Sequence, residues 1–316
     1  MTDKEKKIVM LDGGTGIALM EMGHTFIRGQ PLWSAAVVYT HPQDIIKLHE
    51  DFYMAGADVA VTATYQASIE GYKQKFNLSD AEALDTIKRG VELAKTARDQ
   101  AEQKTGQHRY VAASVGPYGA VLCDMSEYHG RYADTMTREE LRQWHLPRLK
   151  ALVDTQPDLL AIETIPVVKE AEAILDNLHD FPGTKAWVTF QCQDGNHTGH
   201  GESIKDAVAA VVNYDGVVAV GVNCVHPDFV TSLVKNMGEL SLSIPIIVKP
   251  NGGMFDHDGR PGSKPKLSEC VEEWMNAGAT WIGGCCYMNP ADIADMRAVL
   301  GQVPGVGFLQ GEHRLF

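Results

Sequence analysis

Cys285 and Cys286 follow a short apolar run and a glycine pair in Trp281-Ile282-Gly283-Gly284-Cys285-Cys286, and Cys224 ends a second apolar run that begins at Gly216. Adjacent cysteines do not readily close a disulfide on each other, because the peptide between them would have to distort. Both sulfurs can reach one metal ion if the backbone turns sharply, which the glycines permit. If the two runs are strands of one sheet, Cys224, Cys285 and Cys286 converge as three thiolates. Three protein ligands leave tetrahedral zinc an open position, the arrangement of a catalytic rather than a structural site.

The elements that must position these thiols read as alternating strands and helices. Residues 7–11 form a short apolar strand that stops abruptly at Asp12-Gly13-Gly14, a strand end able to approach a ligand closely. Pro42 opens a helix with Ile45, Ile46, Leu48 and Phe52 at helical spacing, which should stop at Gly56. Capping-box spacing at Ser79 with Glu82, and at Thr137 with Glu140, opens two more. Further strands are expected over 59–65, 110–116, 159–165, 186–192, 217–224, 244–250 and 280–286, with a last helix over 290–300. Eight strands separated by helices predict a parallel α/β sheet closed into a (β/α)8 barrel, the TIM barrel. The helix-to-strand joint Ala55-Gly56-Ala57, written again as Ala277-Gly278-Ala279, fits repeated units. The first turn, Asp12-Gly13-Gly14-Thr15-Gly16, is not a dinucleotide fingerprint, which argues against an open doubly wound sheet.

In a barrel the strand C-termini share one face, and chemistry collects there. That rule gathers Asp12, Thr64, Tyr65, Gln66, Ser114, Gly116, Glu163, Asn223, Cys224, Lys249, Asn251, Cys285 and Cys286. Acids ending otherwise apolar strands are costly to bury unpaired, so Asp12 and Glu163 either hold a ligand, cap a helix or pair with a cation. Lys249 raises a rival reading, a Schiff-base aldolase, which would leave the three thiols unexplained. A non-enzymatic rival is a zinc-thiolate redox sensor in which Cys285 and Cys286 oxidise and release the metal.

The formal net charge of −13 argues against general affinity for nucleic acid or an anionic membrane. With 44% hydrophobic and 22% charged residues, the 316-residue chain can bury a large core, and no apolar run approaches the roughly 20 residues of a membrane span. The first residues lack a secretory signal, so a cytoplasmic protein with reduced cysteines is expected.

These residues resemble the zinc-dependent homocysteine S-methyltransferases. The likeness runs through Leu11-Asp12-Gly13-Gly14, Leu32-Trp33-Ser34, Thr64-Tyr65-Gln66-Ala67-Ser68, Ser114-Val115-Gly116-Pro117-Tyr118-Gly119-Ala120 and Ser126-Glu127-Tyr128. It continues in Glu163-Thr164-Ile165-Pro166, Gly221-Val222-Asn223-Cys224, Pro250-Asn251 and Gly283-Gly284-Cys285-Cys286. The segment after the third strand is most similar to the short members that use S-methylmethionine or S-adenosylmethionine. The resemblance implies one homocysteine-binding domain over 1–316, with zinc on Cys224, Cys285 and Cys286 and the homocysteine sulfur in the open position. It further implies a substrate amino group on Asp12 and Glu163, a carboxylate near Gly13 and Gly14, Asn223 beside them, and a donor side at Thr64, Tyr65, Gln66, Tyr118 and Asn251. Methionine would form by attack of the thiolate on a sulfonium methyl, without cobalamin, folate or nicotinamide. The chain departs from the family at Lys249, usually aromatic, at Gly252-Gly253-Met254, and at Tyr287-Met288, where an arginine commonly follows the cysteines. Those departures leave open the preferred donor and whether the acceptor is homocysteine or a related thiol or selenol.

Overall fold

The computed structural model describes residues 5–253, 266–309 and 315–316, so Met254 lies outside the described residues. In chain order the first elements are β1 (Lys6–Met10), α1 (Thr15–Glu21), α2 (Ala35–Thr40), α3 (Pro42–Met54), β2 (Val59–Val61), α4 (Ile69–Phe76), α5 (Asp80–Thr105), β3 (Tyr110–Val115) and α6 (Tyr118–Leu122). There follow α7 (Arg138–Asp154), β4 (Leu159–Ile165), α8 (Val168–Leu178), β5 (Ala186–Phe190), α9 (Ile204–Val211) and β6 (Val217–Asn223). The last are α10 (Pro227–Gly238), β7 (Ile246–Lys249), α11 (Val271–Ala277), β8 (Ala279–Ile282), α12 (Pro290–Leu300) and β9 (Val306–Phe308). Ser79 and Thr137 each close a reciprocal capping box with Glu82 and Glu140, fixing where α5 and α7 begin. Among the described residues no helix is long and apolar enough to cross a membrane.

All strand pairs are parallel, in the order β2-β3-β4-β5-β6-β7-β8-β1-β9. This corrects the expected closed (β/α)8 TIM barrel: among the described residues the sheet has nine strands and no ladder joins β1 to β2. β9 pairs with β1 along Lys6 to Ile8, and β8 pairs with it along Val9 and Met10. Beyond it the backbones at the two ends of the curled sheet meet, among the described residues, at the bridge between Leu11 and Val59. There the Asp58 N–H donates to the Met10 carbonyl (2.7 Å) and the Asp12 N–H to that of Val59 (3.2 Å). The Met10 N–H goes to the Asp58 side chain (2.8 Å), so a carboxylate stands where a ladder bond would be. β9 escapes a sequence reading because Val306-Gly307-Phe308 is only three half-buried residues with no alternation. β2 is shorter than expected because the Thr62 and Thr64 hydroxyls bond each other (2.6 Å) and the Thr64 N–H turns back to Thr62 (2.8 Å).

Alternate strand residues face opposite ways, and this period builds two cores. One set packs inside the curl and includes Val9, Val61, Ala161, Trp187, Ile247 and Trp281. Trp187 and Trp281 meet there edge to face, with ring centroids 6.0 Å apart. The other set packs against the helices. Two residues past the inward Ala112, Ala161 and Ile247 come Ser114, Glu163 and Lys249, and four past Ala219 comes Asn223, all buried, so the same period aims polar groups toward the strand C-terminal ends.

The seam between β1 and β2 is held by charge. Asp58 lies 2.9 Å from the Arg109 guanidinium and 3.6 Å from that of Arg297, with the Asp58 and Arg109 side chains 1% and 4% exposed. Asp58→Ala would leave a buried guanidinium unpaired. It should cost about 3–5 kcal/mol, read as a lower urea midpoint at unchanged slope. His49, on α3, is fully buried, and neither ring nitrogen has a hydrogen-bond partner among the described residues. Burial pushes its pKa down to about 4. The unfolded chain binds that proton near the ordinary value of about 6.5, so this residue's contribution is complete above that pH and is lost as pH falls toward 4. The loss should reach about 3 kcal/mol, and His49→Met should flatten this part of the stability profile.

Candidate metal centre

The chain leaves the sheet after Ile282 because successive N–H groups fan out to different neighbours. That of Gly283 goes to Val248 (3.0 Å), that of Gly284 to Asp12 (2.9 Å) and that of Cys285 to Pro250 (2.8 Å). Cys224 follows β6 in a left-handed conformation, φ +53°, with its N–H on the Lys249 carbonyl (2.9 Å). The loop after β1 closes over the pair, and it has no room for a side chain: a Cβ on Gly14 would lie 2.4 Å from the Cys285 carbonyl oxygen. These constraints bring the Sγ atoms of Cys224, Cys285 and Cys286 within 4.8 Å of one another, with Cys224 and Cys286 at 3.9 Å. Hydrogen bonds within the cluster act in both directions, and burial with the charge of the neighbouring sulfurs leaves all three thiols well above their ordinary pKa. A cation among them is what would let the whole set deprotonate.

The thiols lie in the wall of a cavity of about 600 Å³. Gly13, Gly14, Tyr65, Gln66, Glu163 and Asn251, singled out from the sequence, line the same cavity. Asp12, Thr64, Asn223 and Tyr118 do not. Asp12 is fully buried, with one carboxylate oxygen on the Val61 N–H (2.6 Å) and the other on Lys249 Nζ (2.7 Å). Thr64 donates to the Ser114 carbonyl (2.8 Å). Asn223 accepts from the Thr164 N–H (2.6 Å) and the Thr189 hydroxyl (2.8 Å) through one oxygen. Tyr118 packs on Tyr132 and Trp144. Of the departures from the family pattern, Lys249 and Tyr287 line the cavity. Gly252 donates its N–H to Cys286 (2.7 Å), and the carbonyl of buried Met288 accepts from Gly14 (2.8 Å).

Sequence reasoning assigned no role to Tyr128 or Glu127. The Tyr128 hydroxyl sits 3.4 Å from Cys224 Sγ. Glu127 lines the cavity with Oε2 buried and unpartnered among the described residues, and burial, with the charge of Asp124 adding, pushes its carboxyl up to about 7. Both belong to a non-periodic segment, where the motif Ser126-Glu127-Tyr128 was the only signal. Around Lys249, burial alone would lower the ammonium pKa, but Asp12 and Glu163 outweigh it and hold the side chain charged. Glu163 accepts from the Ser114 hydroxyl, and burial raises its carboxyl despite that bond and the nearby lysine.

The sequence profile described as homocysteine S-methyltransferase matches residues 9–300. The chain belongs to this family. It is 37% identical over 308 residues to the homocysteine S-methyltransferase of Escherichia coli strain K12, covering 94% of this chain and 96% of that protein. It is 34% identical over 310 residues to a betaine-homocysteine S-methyltransferase of Drosophila melanogaster, covering 92% and 94%. The crystal structure of the metallated form of the homocysteine methyltransferase MmuM from Escherichia coli superposes with a TM-score of 0.83, at 37% identity, over 93% of this chain and 96% of that one. This homocysteine S-methyltransferase family member thus carries a three-cysteine cluster able to hold a metal. Cys285→Ala is expected to reduce bound metal from about one equivalent per chain to background in elemental analysis, with far-UV circular dichroism unchanged.

Proposed function

We propose that the chain transfers a methyl group from a sulfonium donor, S-methylmethionine or S-adenosylmethionine, to the thiolate of homocysteine, giving methionine, and that its metal is zinc. The observation that carries the reading is the convergence of three thiols in the wall of a cavity that also holds Glu163 and Lys249. Tetrahedral zinc with Zn–S bonds of about 2.3 Å sets its sulfurs about 3.8 Å apart. The 3.9 Å between Cys224 and Cys286 fits that spacing. Zinc held by Cys224, Cys285 and Cys286 would favour the acceptor's thiolate, its nucleophilic form, at neutral pH.

The remaining work falls to the chain's own groups, in one unit spanning 1–316. Glu163 offers a carboxylate to the acceptor's ammonium. The rings of Trp33, Tyr65, Tyr128, Phe229 and Tyr287 line the cavity and suit a cationic donor. The S–CH3 bond to the acceptor forms as the donor's S–CH3 bond breaks, and the bonding pair stays on the donor sulfur. A sulfonium thereby leaves as a neutral thioether, so no acid need protonate it, and alignment of the two sulfurs with the methyl sets the rate. The Schiff-base reading is disfavoured by a lysine held as ammonium, and a thiol sensor needs no cavity of about 600 Å³ beside its sulfurs.

The test is methionine formation by the zinc-loaded protein from homocysteine with S-methylmethionine, S-adenosylmethionine or betaine supplied separately. Turnover with a sulfonium donor is expected. Glu163→Gln should raise the KM for homocysteine about 10- to 100-fold with metal content unchanged. Turnover with betaine alone would overturn the donor assignment, and no methionine from any donor would overturn the reaction.

A further inference from the structure

One wall of the cavity is held from behind. The chain leaves β3 after Val115 and enters α7 only at Arg138, and between Tyr118 and Tyr132 it supplies Ala120, Cys123, Met125, Glu127 and Tyr128 to the lining. Regular structure holds little of this stretch. α6 has five residues, and Cys123 and Met125 adopt left-handed φ of +56° and +69°, which persists in non-glycine residues only where the surroundings impose it. The constraint is Glu170, in the first turn of α8 and fully buried. Its Oε1 accepts the Tyr118 N–H (2.6 Å) and its Oε2 the Tyr132 hydroxyl, so one carboxylate pins both ends of the stretch.

The same carboxylate is tied to a second anchor. His145 and Arg148 stand three residues apart on α7, hence on one face. His145 Nε2 lies 2.8 Å from Glu170 Oε1, and its Nδ1 lies 2.9 Å from the Arg148 guanidinium. A guanidinium can only donate, so Nδ1 accepts and Nε2 carries the proton that is donated to Glu170. The ring is therefore neutral, and burial with the Arg148 charge pushes its pKa down to about 4 against the pull of Glu170. Arg148 in turn donates to the Gly116 carbonyl, just past β3, and reaches that of Ala67 (3.5 Å), in the turn after β2 that carries Tyr65 and Gln66. Glu170, His145, Arg148 and Tyr132 are all buried, and none of them lines the cavity.

We propose that Glu170 is a positioning residue for the methyl transfer: it fixes the stretch that holds Glu127 and Tyr128 beside the thiols, and His145 links it to the Arg148 clamp on the turns after β2 and β3. This rests on the methyl-transfer reading of the cavity. The Tyr128 hydroxyl is 3.4 Å from Cys224 Sγ, so slack at Tyr132, four residues on, is felt at the sulfurs. None of the hydrogen bonds of Glu170 described above goes to the turns after β6 and β8 that supply the thiols, so metal binding does not depend on it.

The experiment compares the zinc-loaded wild type with Tyr132→Phe, which removes one hydroxyl, with Glu170→Gln, which keeps an acceptor for Tyr118 and His145, and with Glu170→Met, which keeps none. Hydrogen exchange by mass spectrometry, bound metal, the urea midpoint, and kcat/KM for homocysteine with the faster of the two sulfonium donors are measured on each. Exchange across 118–132 should rise about 10- to 100-fold in Tyr132→Phe, with peptides from β6, β7 and β8 unchanged. At unchanged metal content kcat/KM should fall about 10-fold in Tyr132→Phe and about 100-fold in Glu170→Met, with Glu170→Gln restoring part of the loss. A carboxylate with a merely structural role would lower the urea midpoint and leave kcat/KM of the folded variants at the wild-type value, and that result would refute the proposal. So would exchange across 118–132 that does not rise in Tyr132→Phe, the mildest change and the one that decides if the Glu170 variants fail to fold. No methionine from wild type with any donor would sink the methyl-transfer reading alone, since the exchange measurement still decides whether Glu170 pins the stretch.

Discussion

The buried pair of Asp12 and Lys249 is the contact on which the centre depends. Asp12 lies two residues past β1 and Lys249 ends β7, 237 positions apart, and their charged atoms meet at 2.7 Å with the Lys249 and Asp12 side chains 3% and 0% exposed. Their backbones reach further than their side chains. The Asp12 carbonyl accepts the N–H of Gly284, immediately before the paired cysteines, and the Lys249 carbonyl accepts the N–H of Cys224. One ion pair thus ties together both halves of the thiol cluster, while the second Asp12 oxygen reaches β2 at Val61. Losing either partner would leave an uncompensated charge at the point where three strands and two cysteine-bearing turns are joined.

Much of this was visible in the sequence, and the exceptions have physical causes. The thiols declared themselves because each ends an apolar run, and strand period alone aims Ser114, Glu163, Asn223 and Lys249 to one end of the sheet. The acid at Asp12 announced a buried charge but not its partner, since nothing local links it to a residue on β7. The closed barrel was over-read: eight apolar runs were counted, while the ninth strand is too short and too exposed to carry a pattern, and the carboxylate of Asp58 at the seam is a tertiary feature. Tyr128 and Glu127 lie in a segment with neither period, where only their positions in three dimensions show that they face the cavity.

Residues behind the wall shape those on it. Asn223 spends its amide oxygen on the Thr164 N–H and its nitrogen on the Thr164 hydroxyl (2.7 Å), and Thr164 adopts φ +59°. A threonine rarely takes that conformation unless its surroundings impose it. Since Thr164 directly follows Glu163, the amide of Asn223 fixes how that carboxylate is presented. A side chain with no access to the cavity is in this way part of its recognition surface.

The placement of β1 between β8 and β9 also dictates the order in which the fold can be assembled. The first strand made is the one whose ladder partners are made last, nearly three hundred residues later, at Trp281 to Ile282 and Val306 to Phe308. During synthesis β2 to β7 can pair progressively with neighbours already present, but β1 must wait with its hydrogen-bonding edges unsatisfied. Such long-range closure is entropically slow, and an unpaired apolar strand is open to the wrong partners in the meantime. The metal centre inherits this timing. Its ligands cannot converge until Cys285 and Cys286 have emerged, so the chain acquires its chemistry in the same late event that completes its sheet.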